Sequence, residues 1–431
     1  MRRRRLRLAG AAFVAGIALF WAFMGWHLER FVNRVAPVQL PEVTPAARAL
    51  HASSTVIDLH ADSLLFRRNL LRRSAVGHVD LPRLREGGVG LQVFTTVTVV
   101  PMGIDIDRTE PPGIDLLTLA DWARLSSCAW QGPLCRALDQ AARLRAFVEA
   151  SDGQLLLVRD LADLANLLER RRNDPQIVGA LLGAEGAHAM EGEPTNLDAL
   201  FEAGFRMIGL AHFFDNEYGG SAHGVEKGRL SELGRATLLR MEELGILVDL
   251  AHLAPTALEE ALDLLTKPTV VSHGGVKGTC NNLRTLSDAH VRRIAAGGGV
   301  VGIGYWATAV CGTEPRHVAN AIRYVVDLVG DDHVALGSDY DGATTVGFDT
   351  SRLPALTQAL VDANLPEESI RKILGGNVLR VLEATLPRTR ALRPVRKPRR
   401  SASRRATGCR STTARGGHGR RFGSWCSCGV A

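Results

Sequence analysis

Val56-Ile57-Asp58-Leu59-His60-Ala61-Asp62 opens the body of the chain with a mostly apolar lead that ends in a histidine and an aspartate two apart. A short apolar run that stops abruptly at polar residues reads as a buried parallel strand reaching an exposed edge. Side chains two apart on a strand point to the same side, so His60 and Asp62 converge just past its end. An imidazole nitrogen and a carboxylate oxygen together suit Zn²⁺ or a similar divalent ion. Taken alone, one His-x-Asp is more often a core histidine beside a helix cap. Recurrence changes that weighting.

Seven further apolar runs follow: Val89–Val97, Ile177–Glu185, Met207–His212, Ile246–His252, Pro268–His273, Val300–Trp306 and His333–Asp339. Between them lie stretches of helical periodicity, such as Leu230–Leu244, Pro255–Leu265, Asp288–Ala296 and Val318–Leu328. Alternating strand and helix predicts a parallel sheet, and eight units predict a (β/α)₈ barrel of the TIM type. No Gly-x-Gly-x-x-Gly follows the first strand, which argues against an open dinucleotide-binding sheet. A long insertion, Val100–Leu164, interrupts the series with helical patterns of its own at Ile114–Leu125 and Leu138–Val148. The runs end in His60 and Asp62, Glu185, His212, His252, His273 and Asp339. Barrel active sites lie at the C-terminal strand ends, so these side chains are expected on one rim. His188, three residues past Glu185, reads as a supporting residue. The other histidines fall in linkers, loops, helices or strand starts.

In this order the residues resemble the membrane dipeptidase (renal dipeptidase, peptidase M19) family. The similarity rests on Asp-Leu-His-Ala-Asp at 58–62, Gly-Ala-Glu-Gly-Ala-His at 183–188, Leu-Ala-His at 210–212 and Val-Asp-Leu-Ala-His at 248–252. It continues through Val-Ser-His at 271–273, Gly-Ser-Asp-Tyr-Asp-Gly at 337–342 and Gly-Gly-Asn-Val-Leu-Arg-Val-Leu-Glu at 375–383. Each motif is weak; seven in register are specific. The resemblance implies a metallo-dependent hydrolase barrel with two Zn²⁺ ions, one on His60 and Asp62, the other on His252 and His273, bridged by Glu185. It further implies that a hydroxide between the ions attacks the peptide bond of a free dipeptide, including one with a C-terminal D-residue. His212 would hold the oxyanion, Asp339 would pass the water's proton to the amine, and Arg284 would grip the C-terminal carboxylate. Tyr340 would line the same cavity. The segment after His212 (Phe213-Phe214-Asp215-Asn216-Glu217-Tyr218) and the Val100–Leu164 insertion depart from the family pattern and bear on side-chain preference. The alternative is a binuclear amidohydrolase acting on lactones, cyclic amides or phosphoesters. Many of those carry His-x-His on the first strand and a modified lysine as bridge, which His60-x-Asp62 and Glu185 do not match.

The formal charge of +7 is misleading, because residues 31–386 carry 33 basic against 44 acidic side chains and only the two ends are basic. An acidic body excludes specific nucleic-acid binding as a reading of the high pI. Arg2 to Arg5 and Arg7 precede an uncharged run, Leu8–Trp26, long enough at about 1.5 Å per residue to span a bilayer core. This pattern predicts an uncleaved transmembrane signal-anchor, with the N-terminus in the cytoplasm and the body on the extracytoplasmic face of a bacterial inner membrane. Domains are expected at 1–46 (Arg cluster, anchor and linker), 47–386 (barrel) and 387–431 (a disordered, basic, low-complexity tail). In an oxidising compartment Cys128 with Cys135, and Cys280 with Cys311, are candidate disulfides. The expected partners are dipeptides, the membrane through the N-terminal helix, and a second copy of the chain as a homodimer. A third reading makes the barrel a non-catalytic scaffold for the basic tail.

Overall fold

A computed structural model of the chain describes residues 29–124 and 126–388, with Gly16 in addition. The expected anchor at Leu8–Trp26 (Gly16 apart) and residues 389–431 of the expected tail lie outside the described residues. Among the described residues no helix is long and apolar enough to cross a membrane.

All eight expected strands form. They are Val56–Ala61, Val89–Val97, Val178–Glu185, Phe205–Gly209, Leu247–Asp249, Val270–Val271, Val300–Ile303 and Val334–Leu336, numbered first to eighth below. Each pairs in parallel with the next, and Leu336 of the eighth meets Asp58 of the first, which closes the barrel. The first three strands are buried along their whole length, as expected where a parallel sheet is covered on both faces. Their side chains divide between two apolar clusters. One joins Ile57, Leu91, Leu181 and Met207 to Val378, Val381 and Leu382 of the C-terminal helix. The other joins Phe94, Leu182, Ile208, Ile303 and Leu336 to the surrounding helices.

The helices begin where capping chemistry starts them. Ser231 accepts from the Gly234 N–H, Ser287 from the His290 N–H and Asp160 from the Asp163 N–H, each filling a donor with no partner inside the helix. Helices Glu232–Leu244, Pro255–Leu264, Asp288–Ala296 and Pro315–Val329 agree with the expected periodicity to within three residues.

The insertion holds two helices, Leu116–Ala123 and Cys128–Ala150, the second broken at Gly132 (φ 82°) just before Pro133, and then a short strand, Leu155–Leu157, that pairs in parallel beside the third barrel strand. The Cys128–Cys135 disulfide spans that break. Buried Arg136 ties the insertion together, donating to Asp115 (2.6 Å), Asp121 (2.7 Å) and the Thr98 carbonyl (2.7 Å). The second disulfide, Cys280–Cys311, joins the loop after the sixth strand to the segment after the seventh. Both expected pairings are present.

Candidate metal centre

The strand ends deliver their polar residues to one point. Glu185 closes the third strand, and its Oε1 faces the Nε2 atoms of His252 (2.9 Å), His273 (3.3 Å) and His60 (3.7 Å). Its Oε2 lies 3.4 Å from His212 Nε2. His60 Nε2 stands 3.5 Å from Asp62 Oδ1, and the Nε2 atoms of His252 and His273 are 3.1 Å apart. Chain reversals make this convergence possible: His252 (φ 64°) and Asp339 (φ 58°) adopt left-handed backbone, a costly conformation that clusters at functional sites.

Charge and protonation favour a cation at the centre. Burial holds the His212, His252 and His273 rings well below the usual imidazole range, and their neighbours (His60 or Arg284 among them) add to it, so these rings are neutral. Burial opposes charge on His60 too, but Asp62 and Glu185 overrule it and raise its pKa well above the ordinary value. Glu185 is raised by burial and by the charge of Asp62; Asp339 is raised well above the carboxylate range by burial, with Glu185 and Asp62 adding to the effect. Among the described residues, buried His60 Nε2 has no hydrogen-bond partner. A tetrahedral zinc with bonds of about 2.0–2.1 Å needs ligand atoms about 3.3 Å apart. The separations of 2.9–3.7 Å match that requirement. Among the described residues three groups, His60–Asp62–Glu185, Glu185–His212–His252 and His60–Asp249–His273, each bring their ligand atoms within 4.8 Å, and the first two share Glu185. The second group contains His212 where the resemblance has His273; both rings lie within reach of Glu185.

Two residues without an expected role orient the ligands. A hydroxyl has one hydrogen and two lone pairs. Ser272 Oγ donates its hydrogen to Asp249 Oδ2 (2.6 Å), so it must accept from His273 Nδ1 (2.8 Å) and His60 Nδ1 (3.2 Å). Both rings therefore carry hydrogen on Nδ1 and turn Nε2 toward the centre. Asp249 is held in turn by the N–H groups of Ala251 and Ser272. The same logic applies at Thr95, whose hydroxyl donates to Asp62 Oδ1 (2.6 Å). Asp249 and Ser272 sit inside the motifs at 248–252 and 271–273, and their only sequence signal was that position.

Arg284 is buried beside the cluster. Its Nη2 donates to the His273 carbonyl (3.1 Å) and lies 3.3 Å from His252 Nε2, with the guanidinium 5.8 Å from the Trp306 ring centre. Among the described residues no carboxylate forms an ion pair with it. A cavity of about 480 Å³ opens here, lined by Asp62, Glu185, His212, His252, His273, Arg284 and Asp339 among others.

Tyr340 does not belong to this group. It is fully buried behind the rim, its hydroxyl donating to the Phe348 carbonyl (2.9 Å) and its ring packed against Tyr305 and His78. The left-handed backbone at Asp339 (φ 58°) turns the chain just before Tyr340, whose ring is committed to the aromatic packing behind the rim. His188 lies in a short 3₁₀ turn against Phe214, its ring held neutral by burial at a pKa of about 4.

Imidazoles and carboxylates gathered at the C-terminal mouth of such a barrel define a metal-dependent hydrolase. The chain matches the family model "Membrane dipeptidase (Peptidase family M19)" over residues 45–393 and belongs to that family. It is 27% identical over 354 residues to dipeptidase verJ of Clonostachys rogersoniana, covering 78% of this chain and 86% of that one. Against dipeptidase aclJ of Aspergillus oryzae the identity is 28% over 317 residues, covering 71% and 69%. A Rhodobacter sphaeroides metallopeptidase, solved with a phosphinate mimic of the dipeptide L-Ala-D-Ala, is 25% identical with a TM-score of 0.63, covering 77% of this chain and 99% of that one. The chain is thus an enzyme of a dipeptidase family with a metal cofactor.

Proposed function

We propose that the chain hydrolyses free dipeptides with two Zn²⁺ ions held by His60, Asp62, Glu185, His252 and His273. The observation that carries this is one carboxylate oxygen, Glu185 Oε1, faced by ring nitrogens of His60 on the first strand and of His252 and His273 just past the fifth and sixth. When bound, the pair of ions supplies Lewis acidity and a water of lowered pKa. The chain's own groups do the rest. Arg284, a buried guanidinium that pairs with no carboxylate among the described residues, takes the substrate's C-terminal carboxylate in a two-point grip. His212, neutral and beside Glu185, stabilises the oxygen that gains negative charge as water adds to the carbonyl. Asp339 accepts the proton of that water and delivers it to the amide nitrogen as the C–N bond breaks.

The mimic held by the Rhodobacter sphaeroides metallopeptidase supports extending the substrate range to a C-terminal D-residue. The family match supports a catalytic domain close to 47–386. The two disulfides support a body outside the cytoplasm, tethered by the apolar run Leu8–Trp26.

Glu185→Gln is the direct test. Loss of a shared ligand charge should lower bound zinc and cut dipeptide turnover by at least about 10²-fold, since even residues behind metal ligands cost 10–100-fold. Metal analysis and turnover of the purified variant check it. Full activity with full metal content overturns the assignment.

A further inference from the structure

The cavity that opens over the metal centre is lined by two kinds of residue. The first are the clustered charges described above. The second are apolar: Phe213 and Trp306, whose rings lie beside His212 and His273, and a wall that includes Val97, Val100, Ile104 and Ile106. Three of these, Val100, Ile104 and Ile106, come from the start of the insertion after the second strand, the part of the chain that departs from its family's pattern.

That apolar wall is fastened at both ends. The Val100 N–H donates to Asp115 Oδ1 (2.9 Å), and the Val100 carbonyl accepts from the Leu116 N–H (2.9 Å). At the far end the Thr109 N–H donates to the His223 carbonyl (2.7 Å), and His223 Nδ1 pairs with the Ile106 carbonyl (2.7 Å). Lys227 adds a bond to the Asp107 carbonyl (2.8 Å). The insertion is thereby laid across the mouth and hooked to the loop that follows His212.

Charge accounting decides what this wall accepts. Among the described residues the acidic groups lining the cavity are Asp62, Glu185 and Asp339, all committed to the metal centre or to proton transfer; the cationic side chain is Arg284, committed to the main-chain carboxylate. A charged substrate side chain pressed on the apolar wall would lose hydration without gaining a counter-ion. An apolar one would gain about 25 cal/mol for each Å² it removes from water. A volume of about 480 Å³ lies in the range of small-molecule sites. We propose that the insertion makes this enzyme selective for dipeptides with bulky apolar side chains, and that Ile104 and Ile106 are specificity-determining residues. The proposal rests on the dipeptidase reading given above.

The experiment measures kcat/KM on the zinc-loaded full chain for X-Ala and Ala-X dipeptides, with X as Leu, Phe, Asp or Lys. At the position that meets the wall, Leu and Phe should exceed Asp and Lys by about 10²-fold, the scale on which binding pockets discriminate. Ile104 is 42% exposed, so Ile104→Lys leaves the core untouched. This variant should raise Asp over Leu by at least about 10-fold relative to the native chain, with zinc content unchanged. Equal rates for apolar and charged dipeptides, or a ratio that Ile104→Lys does not move, overturn the proposal while leaving the dipeptidase reading intact. Hydrolysis of no dipeptide in the panel overturns that reading, and this proposal with it.

Discussion

Asp339 and Asp341 are two positions apart, both with left-handed backbone and both buried, yet they serve clusters of opposite character. Asp341 is surrounded by donors: the Arg68 guanidinium, the Ser63 hydroxyl (2.5 Å) and the His78 N–H (2.6 Å). Burial works against its charge, but Arg68 and His78 outweigh it and hold the carboxyl below its ordinary range. Asp339 is driven the other way, well above that range, by burial with Glu185 and Asp62 nearby. In the first cluster the protein supplies its own cation and the result is a structural clasp. In the second it supplies lone pairs and carboxylates, and the cation is a cofactor. A buried polar cluster therefore reads as structural or functional according to whether its charges close within the chain.

Three measurements can break or sharpen this contrast. Arg68→Ala should have the largest effect, a loss of about 3–5 kcal/mol in denaturant unfolding, because it strands Asp341 and Glu29 without their cation. Zinc stoichiometry should stay unchanged; loss of metal without loss of stability would merge the two clusters. Next, Ser272→Ala should weaken zinc binding by about 10–100-fold in competition with a chromophoric chelator, since both His60 and His273 lose the acceptor that orients them. Ser272→Thr, which keeps the hydroxyl, should recover most of it.

The smallest effect concerns Glu29. Arg68 donates to Glu29 (2.6 Å) while also serving Asp341, and burial outweighs this half-share, raising the Glu29 carboxyl from 4.5 to about 7. The folded chain then holds this proton more tightly than the unfolded one. Its contribution to stability is full below 4.5, declines as pH rises to about 7 and stays lost above that. Glu29→Gln, which cannot ionise, should gain on the native chain by roughly 2 kcal/mol between about pH 5.5 and 8 in parallel unfolding curves. A constant difference across that range would show that Arg68 satisfies both carboxylates.

Much of this architecture was legible before any coordinates. The eight apolar runs became eight strands because fully buried parallel strands leave an unbroken apolar signature. His60, Asp62, Glu185, His212, His252, His273 and Asp339 were found because each ends such a run. Asp249, Ser272 and Asp341 were not. Each stands within three residues of a candidate site residue and looks like motif filler until its partner, 23 to 278 positions away in sequence, is in place. Tyr340 was expected in the cavity from the family resemblance, but its ring packs against Tyr305 and His78 behind the rim.

What the sequence determined by itself is the order of elements, the residue types at each strand end and the family to which they belong, because periodicity and motif spacing are local properties. Only the tertiary structure decided which nitrogen of each histidine faces the centre, which aspartate is neutralised from within, and how the insertion walls the mouth. Those depend on the direction of a hydroxyl hydrogen, on one guanidinium shared by two carboxylates and on loops hooked across more than a hundred residues. Such relations exist only once the barrel has closed.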